Sequence, residues 1–516
     1  MKKIITLFAF VILFSNFSYS QFVERIVLGQ TGYNEGIAAV ETSNGHFIVL
    51  GSVYTGGANN SFNFSLTELD QNGNTIQSKL GSNVTAIPLA MSITNTDEIL
   101  VTGYYRASTT DNDIFIAKFT PDLNLIWFKR YGVTGGNDYG NSIFQLNNDK
   151  YVLTGTTAIS GAAKPSITYL DTAGTILSEF HLNTNQFASP YYKASYLGDG
   201  RFSFNRLANL TCIVDTNNTI LSNPSTAMGI YSIDSYKDFD GNTVIMSAGD
   251  FGGPTGGSLV VTRYDSTLSS VLMNKKYKLS GNNLNGVKIT TDYQQQFGNY
   301  VIAANAESLS NGYTSALFFK VDQSGLIYWV NKYLPTGYVQ SKFNSFIKTS
   351  DGGYLLVGYV GGSSSTNIFV VKTDSAGITC NMSNIALTST NVTQISSTPH
   401  AVNAGTTNVL TQVNNVFNAA ANTGSIICTS VSSLQDNDQI TLNVYPNPMS
   451  DLLNIEVAKA DQYMLKVYTA TGQLLNNTEF KNNYQLNTSN YDAGFYLLRI
   501  EDKNGNVQAL RKLIKP

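Results

Sequence analysis

Apolar residues along most of this chain fall in short runs that stop at a glycine: HFIVLG, EILVTG, KYVLTG and GYLLVG end at Gly51, Gly103, Gly155 and Gly358. Weaker copies, RFSFNR near Phe204, NTVIMSAG near Gly249 and NYVIAA near Ala303, fill the intervals. Because Phe47, Ile48, Val49 and Leu50 are all apolar, both faces of such a strand must be covered, unlike the alternating strand of a one-sided sheet. A second pattern runs beside the first. Strands that end in a turn residue close at Asp70, Thr120, Asp171, Asp215, Asp265, Asp322 and Asp374, at intervals of 44 to 57 residues. Each interval reads as four short strands, for example GIAAVET, HFIVLGSVY, FNFSLTELD and TIQSKLG, joined by the turns SNG, GGANN and QNG.

A unit of about fifty residues repeated seven times, each unit a four-stranded sheet with two oily faces, predicts a seven-bladed β-propeller over residues 21–380. Its fourth strands appear as LIWFKRYG and LIYWVNKYL, with Trp127 and Trp329 seven residues past the turn residue. FVERIVLG at 22–29 matches that strand, whereas the seventh unit continues past Asp374 without it. The expectation is that 22–29 completes the last blade and closes the ring, leaving no open edge between first and last. Each turn acid should bond local backbone while a following Gly, such as Gly325 or Gly377, supplies positive φ. An apolar strand ending in Gly, a strand ending in Lys-x-Asp and a Gly-x-x-x-Trp strand resemble the propeller repeats of bacterial surface proteins over 22–380.

Composition agrees with an extracellular all-β protein. Of 516 residues 13% are charged, the net charge is -3, and Asn, Ser, Thr and 43 Gly stand beside 30 Tyr and 27 Phe. That balance excludes a nucleic-acid partner, which needs a basic surface. Lys2 and Lys3, an apolar run from Ile4 to Phe14 and the small-residue end at Ser18 and Ser20 form a secretory signal peptide over 1–20, with cleavage expected between Ser20 and Gln21. The run is shorter than the roughly 18 residues of a membrane span, and no later segment is longer, so no transmembrane span is expected after cleavage.

From 381 to 438 the text shifts to Ser, Thr, Asn and Val and reads as a connecting segment bracketed by Cys380 and Cys428. Outside the cytoplasm such a pair is a disulfide candidate, and closing the loop between them would contribute about 4 kcal/mol in chain-entropy terms. Cys212, inside LTCIVD, reads as a buried small hydrophobe. From 439 to 516 period-two segments separated by turns predict a small antiparallel β-sandwich. The order of Tyr-Pro-Asn-Pro, a V-Y-x-x-x-G-Q turn, an acidic and glycine turn before F-Y-L-L, and a last basic strand resembles the type A C-terminal sorting domain of type IX secretion cargo. Pro446, Asn447, Pro448, Gly472, Gln473, Gly494, Tyr496 and Lys512 carry the match. The resemblance implies an Ig-like fold, recognition by the type IX outer-membrane machinery, a two-membraned Bacteroidetes-like host, and a cargo released or attached to the outer surface by way of the periplasm. It also implies that Asp171-Thr172-Ala173 and Asp374-Ser375-Ala376 resemble O-glycosylation sequences, although both lie on repeat turns.

Nothing in the sequence names a catalytic, cofactor or metal site. His46, His181 and His400 have no metal-ligand spacing, and neither a Gly-x-Ser-x-Gly elbow nor a phosphate-cradling loop occurs. Asp322 to Trp329 resembles the Asp-box of sialidases in part, with the wrong Gly and aromatic spacing. Lys118, Arg263, Lys320 and Lys372 share one repeat position; the plain expectation is a solvated face with snorkelling stems, the alternative a ring for an acidic polymer. The expected function is a non-catalytic binding or adhesion module for glycans or surface proteins. Two readings stand beside it, a polysaccharide hydrolase or lyase with carboxylates at the channel mouth, and a passive scaffold.

Overall fold

A computed structural model describes residues 24–27 and 32–515, less 57–60, 83–84, 109–110, 134, 148, 160–161, 184–192, 199, 206–210, 216–219, 223–228, 238–241, 250–256, 266–269, 293–298, 363, 380–381, 392–400, 405–408, 413–415, 420–424, 429–441, 447–448, 458–460, 470–473, 493 and 504–506. All described secondary structure is β, and the chain divides into a unit ending at Thr429 and a second from Ser430 to Pro516.

Among the described residues of the first unit, seven antiparallel sheets follow one another. The first is built from Glu35–Glu41, Phe47–Gly56, Ser61–Leu69 and Thr75–Ser82, the second from Ala86–Ile93, Ile99–Ser108, Asp111–Phe119 and Leu125–Gly132. Their packing explains the unbroken apolar runs. Ile48 and Leu50 point into a core shared with Val101, Phe115 and Phe128 of the second sheet, while Phe47 and Val49 point the other way, against Leu355, Val357, Ile368 and Val370 of the seventh. Similar shared cores join the second sheet to the third, the third to the fourth, the fifth to the sixth and the sixth to the seventh. First strands also adjoin across every boundary, from the seventh sheet round to the first, so the sheets form the ring of a β-propeller.

The seventh sheet holds Gln340–Lys348, Tyr354–Gly361 and Thr366–Thr373, and its fourth strand is Glu24–Val27 from the N-terminal end, with Glu24 opposite Val371 and Val27 opposite Ile368. The turns at the ends of third strands are built as the repeat suggests. Asp322 Oδ1 accepts the amides of Ser324 and Leu326, both at 2.8 Å, and Asp374 Oδ1 accepts those of Ala376 and Ile378 at 2.9 and 2.8 Å. Gly377 has φ 70°, and a Cβ there would fall 2.7 Å from the Trp329 ring of the sixth sheet, so this glycine serves both the turn and the seating of the tryptophan. Tyr277 donates to the Gly325 carbonyl at 2.9 Å and Tyr333 to that of Gly377, tying each outer strand to the next sheet.

The segment expected as a connector belongs to the ring as far as Cys428. Met382–Asn384 pairs with the sixth sheet, Thr388–Asn391 with the fifth, Ala401–Ala404 with the third, Val409–Gln412 with the second, Val416–Ala419 with the first and Ser425–Cys428 with Glu24–Val27 of the seventh. Having passed once round, the chain thus runs back along the perimeter and gives six sheets a fifth strand. Cys380 lies outside the described residues, as do Ser20, Gln21 and His400.

The second unit pairs Leu442–Tyr445, Leu452–Val457 and Asn483–Asn487 in one sheet, and Leu474–Lys481, Gln462–Thr469, Gly494–Asp502 and Val507–Lys515 in another. Leu453 and Ile455 of the smaller sheet share one core with Leu465, Val467, Leu498 and Ile500 of the larger, so the alternate residues of each face the other.

Candidate functional site

Strand direction alternates within each sheet, so second-to-third and fourth-to-first connections lie on one face of the ring, first-to-second and third-to-fourth turns on the other. The two faces differ in chemistry. Towards the first face second strands carry Tyr54, Tyr104 and Tyr359 in their latter halves, and first strands open at or beside Tyr33, Tyr139 and Tyr338. Tyr33 is 52% exposed and the others are half-buried. Tyr54 meets Phe62 edge-on at 5.5 Å and Tyr104 meets Tyr139 edge-on at 5.1 Å, which fixes the orientation of these rings. Around Tyr359 the chemistry converges from three sheets. Burial raises its pKa, a hydrogen bond with Thr314 works against this, and the charges of Glu35 and Glu307 add to it; Lys342 Nζ lies 5.8 Å from the ring centre. Asn344 donates to Glu35 at 3.1 Å and so fixes that carboxylate.

The other face is closed by clamps. Ser350 donates its amide to Glu41 of the next sheet at 2.7 Å, Ser43 to Asp97 at 3.1 Å and Asn95 to Gln145 at 2.8 Å. Here the basic residues of the repeat also stand, and the solvated-face expectation fails: Lys118, Arg263 and Lys372 are buried. Lys118 bonds Glu98 at 2.8 Å, Lys320 bonds Asp292 at 2.6 Å and Lys372 bonds Asp351 at 2.7 Å. Burial alone would raise the Asp351 carboxyl, but the Lys372 ammonium, the Thr349 hydroxyl and the Gly353 amide together outweigh it and the pKa lies below the usual value. Each partner comes from the first-to-second turn of the same sheet, so these pairs pin turns instead of forming a ring for an acidic polymer. His46 bonds Glu68 at 2.8 Å and His181 bonds Glu179 at 3.2 Å, and among the described residues no cluster of His, Cys, Asp or Glu is placed to hold a metal ion.

A further carboxylate escaped sequence reasoning. Asp138 is fully buried where the chain enters the third sheet; its Oδ1 accepts the Ala158 amide and its Oδ2 the Val133 amide, both at 2.6 Å. Asn34 stands at the same point of the first sheet and accepts from Tyr54 at 3.0 Å. Burial pushes the Asp138 pKa up to about 7; the two amides pull it down, while Asp113 and Glu179 push it further up. Because the folded value lies above the unfolded one, the neutral acid's contribution is complete below about pH 4 and is lost as pH rises through about 7. Asp138→Asn is therefore expected to flatten the fall of melting temperature between those pH values, and a melting series across pH checks it.

In the second unit the sorting-pattern residues that are described have structural work. Pro446 is exposed after a cis Tyr445–Pro446 bond, and Gly494 opens the third strand of the larger sheet. Tyr496 is buried, with its hydroxyl donating to the Asp492 carbonyl at 2.7 Å. The Lys512 backbone pairs opposite Leu497. Asn447, Pro448, Gly472 and Gln473 lie outside the described residues. Lys515 reaches back to Asp451 at 3.1 Å and Arg511 to the Leu442 carbonyl at 3.2 Å, so the last strand fastens both sheets.

No curated protein matches the chain. Among solved structures it is similar to a protein of unknown function from Bacteroides caccae, at 11% identity over 60% of this chain and 93% of that one, TM-score 0.36. It is similar to the WD40 β-propeller domain of Doa1 at 12% identity over 67% and 96%, TM-score 0.41, and to U3-55K at 10% over 68% and 98%, TM-score 0.44. The family of secretion system C-terminal sorting domains matches residues 443–516. Those residues, a separate compact unit whose last strand ties its two sheets together, are thus the sorting domain that marks this β-propeller as cargo of the type IX secretion system.

Proposed function

We propose that the exported propeller is a non-catalytic binding or adhesion module for carbohydrate, acting at the outer cell surface or after release, with residues 1–20 as its signal peptide and Cys380–Cys428 as its disulfide. The observation that carries the reading is the tyrosine-bearing face: partly exposed rings held edge-on by aromatic neighbours offer stacking surface to sugar rings, and Glu35, Glu307 and Lys342 near Tyr359 offer hydrogen bonds to hydroxyls. The opposite face has its charges engaged in clamps and is the poorer candidate.

Tyr33→Ala combined with Tyr359→Ala is expected to weaken retention on polysaccharide columns about tenfold or more, each stack being worth roughly 1 kcal/mol. Melting temperature should fall little for Tyr33→Ala, whose ring is exposed. The alternative, a hydrolase or lyase, is favoured by one observation, that the charges of Glu35 and Glu307 both act on Tyr359. Sugar release that disappears in Glu35→Gln or Glu307→Gln would replace the binding reading with this one.

A further inference from the structure

Alternation along the strands of the larger sheet in the second unit puts Val467 and Leu498 into the core and leaves Tyr468 and Leu497 half-buried on the outer face. These two stand opposite each other, and Leu474 stands opposite Tyr468 on its other side. One outward row therefore runs through Leu474, Tyr468 and Leu497 and ends at the ladder position of Lys512 in the last strand. A bulge adds to it. Leu474 pairs with Tyr468 and Asn476 with Val467, which leaves Leu475 as the extra residue, and both leucines are exposed, Leu474 by 46% and Leu475 by 39%. Regular alternation would turn one of the two into the core. The next row on the same face is polar and has its charges engaged, Lys466 bonding Glu501 at 2.9 Å and Arg499 bonding it at 2.7 Å. On the outer face of the smaller sheet Leu452 is as exposed, at 45%, but its neighbours along the strand on that face are Asn454 and Glu456.

The residues that frame the row say what covers it. Gly472 and Gln473 lead directly into Leu474, Tyr496 directly precedes Leu497, and Lys512 is the ladder partner of Leu497; all four belong to the pattern that marks the sorting domain. We propose that Leu474, Leu475, Tyr468 and Leu497 form the face by which the type IX outer-membrane machinery reads this domain, and that the machinery meets them with an apolar surface. The two adjacent leucines supply the buried centre of that contact, and the polar row beside them its rim.

The test follows the full chain carrying both Leu474→Gln and Leu475→Gln, beside one carrying Leu452→Gln, in cells that export the unsubstituted chain. Gln keeps the length of each side chain and removes its apolar end, so these exposed positions should fold as before. The double variant should reach the surface or medium in amounts lower by about tenfold or more. Leu452→Gln should be exported as the unsubstituted chain is, and hydrogen exchange of the purified double variant at Leu465, Val467, Leu498 and Ile500 should stay slow. Undiminished export of the double variant overturns the proposal. So does an equal loss in Leu452→Gln, which would make any exposed leucine of the domain sufficient. A change in the sedimentation of the purified chain on substitution would assign the row to a second copy of the chain and likewise overturns it. Should the double variant lose its slow exchange, Leu475→Gln alone is read, because the bulged residue has no ladder partner to disturb: reduced export with slow exchange supports the proposal, and full export overturns it.

Discussion

Ending the chain at Thr429 is expected to leave the propeller folded and to abolish its appearance outside the cell. The first compact unit closes at that residue, and the last strand of the segment running back along the perimeter ends at Cys428, so the truncation removes no described strand of the ring. What it removes is the whole sorting domain, which begins within the second unit at residue 443. Fractionation of cells should find the full chain at the surface or in the medium and the truncated chain in the periplasm, resistant to mild proteolysis. A second variant separates signal from mere length. Leu498 is fully buried between the sheets of the sorting domain, and Leu498→Asp places a carboxylate in that core, which costs several kcal/mol or unfolds the small domain. It should reproduce the truncation while every residue but one is present. Export of either variant in full-length amounts would show that some other part of the chain carries the address.

Much of the ring was legible because its cause is local and repeated. Four consecutive apolar positions at Phe47 to Leu50 admit one explanation, cover on both faces, and the structure divides them between the second and seventh sheets. The turn acids were legible for the same reason, since Asp322 and Gly325 act within one turn. Contacts made across the repeat were not. Lys118, Lys320 and Lys372 share a position, but their partners Glu98, Asp292 and Asp351 sit at different points of their turns, so no fixed spacing announces the pairs. The perimeter segment left no period: strands of three or four residues, with Ser383 and Thr390 in solvent, are too short to show an alternation of oily and polar residues, and the text reads as a linker. The tyrosine face was hidden by a different ambiguity. Tyrosine favours strands whether or not it binds anything, and only the positions of Tyr54, Tyr104 and Tyr359 in the latter halves of their second strands, towards one side of the ring, separate the two meanings. In the sorting domain the pattern was legible as a whole while the single residues were not. Tyr496 is a core residue with a local hydrogen bond, so its role in recognition rests on the fold it helps to build.

The core between the first two sheets should be the most sensitive point of the propeller, and Phe115 its centre. The ring of Phe115 lies parallel to that of Phe64 from the first sheet and to that of Phe128 from its own outer strand, at 5.3 Å and 7° in both cases. All three side chains are fully buried, and Phe119 meets Phe64 edge-on at 6.2 Å. Phe115 also lies against the backbone of the ring: a Cβ added at Gly103, directly opposite in the ladder, would fall 2.9 Å from its edge. A side chain enclosed by rings on two sides and by backbone on a third leaves a cavity that its neighbours cannot close without unstacking one another. Phe115→Ala is therefore expected to destabilise the propeller by about 3–5 kcal/mol, the range for burying no ring where one was fully buried. Phe115→Leu keeps much of the volume and should lose clearly less. Denaturant unfolding of the chain ended at Thr429 measures both without a contribution from the sorting domain. A loss below about 1 kcal/mol for the alanine variant would mean that the sheets slide together to fill the space. A closed ring resists that movement, since any approach of the first two sheets must open a gap elsewhere.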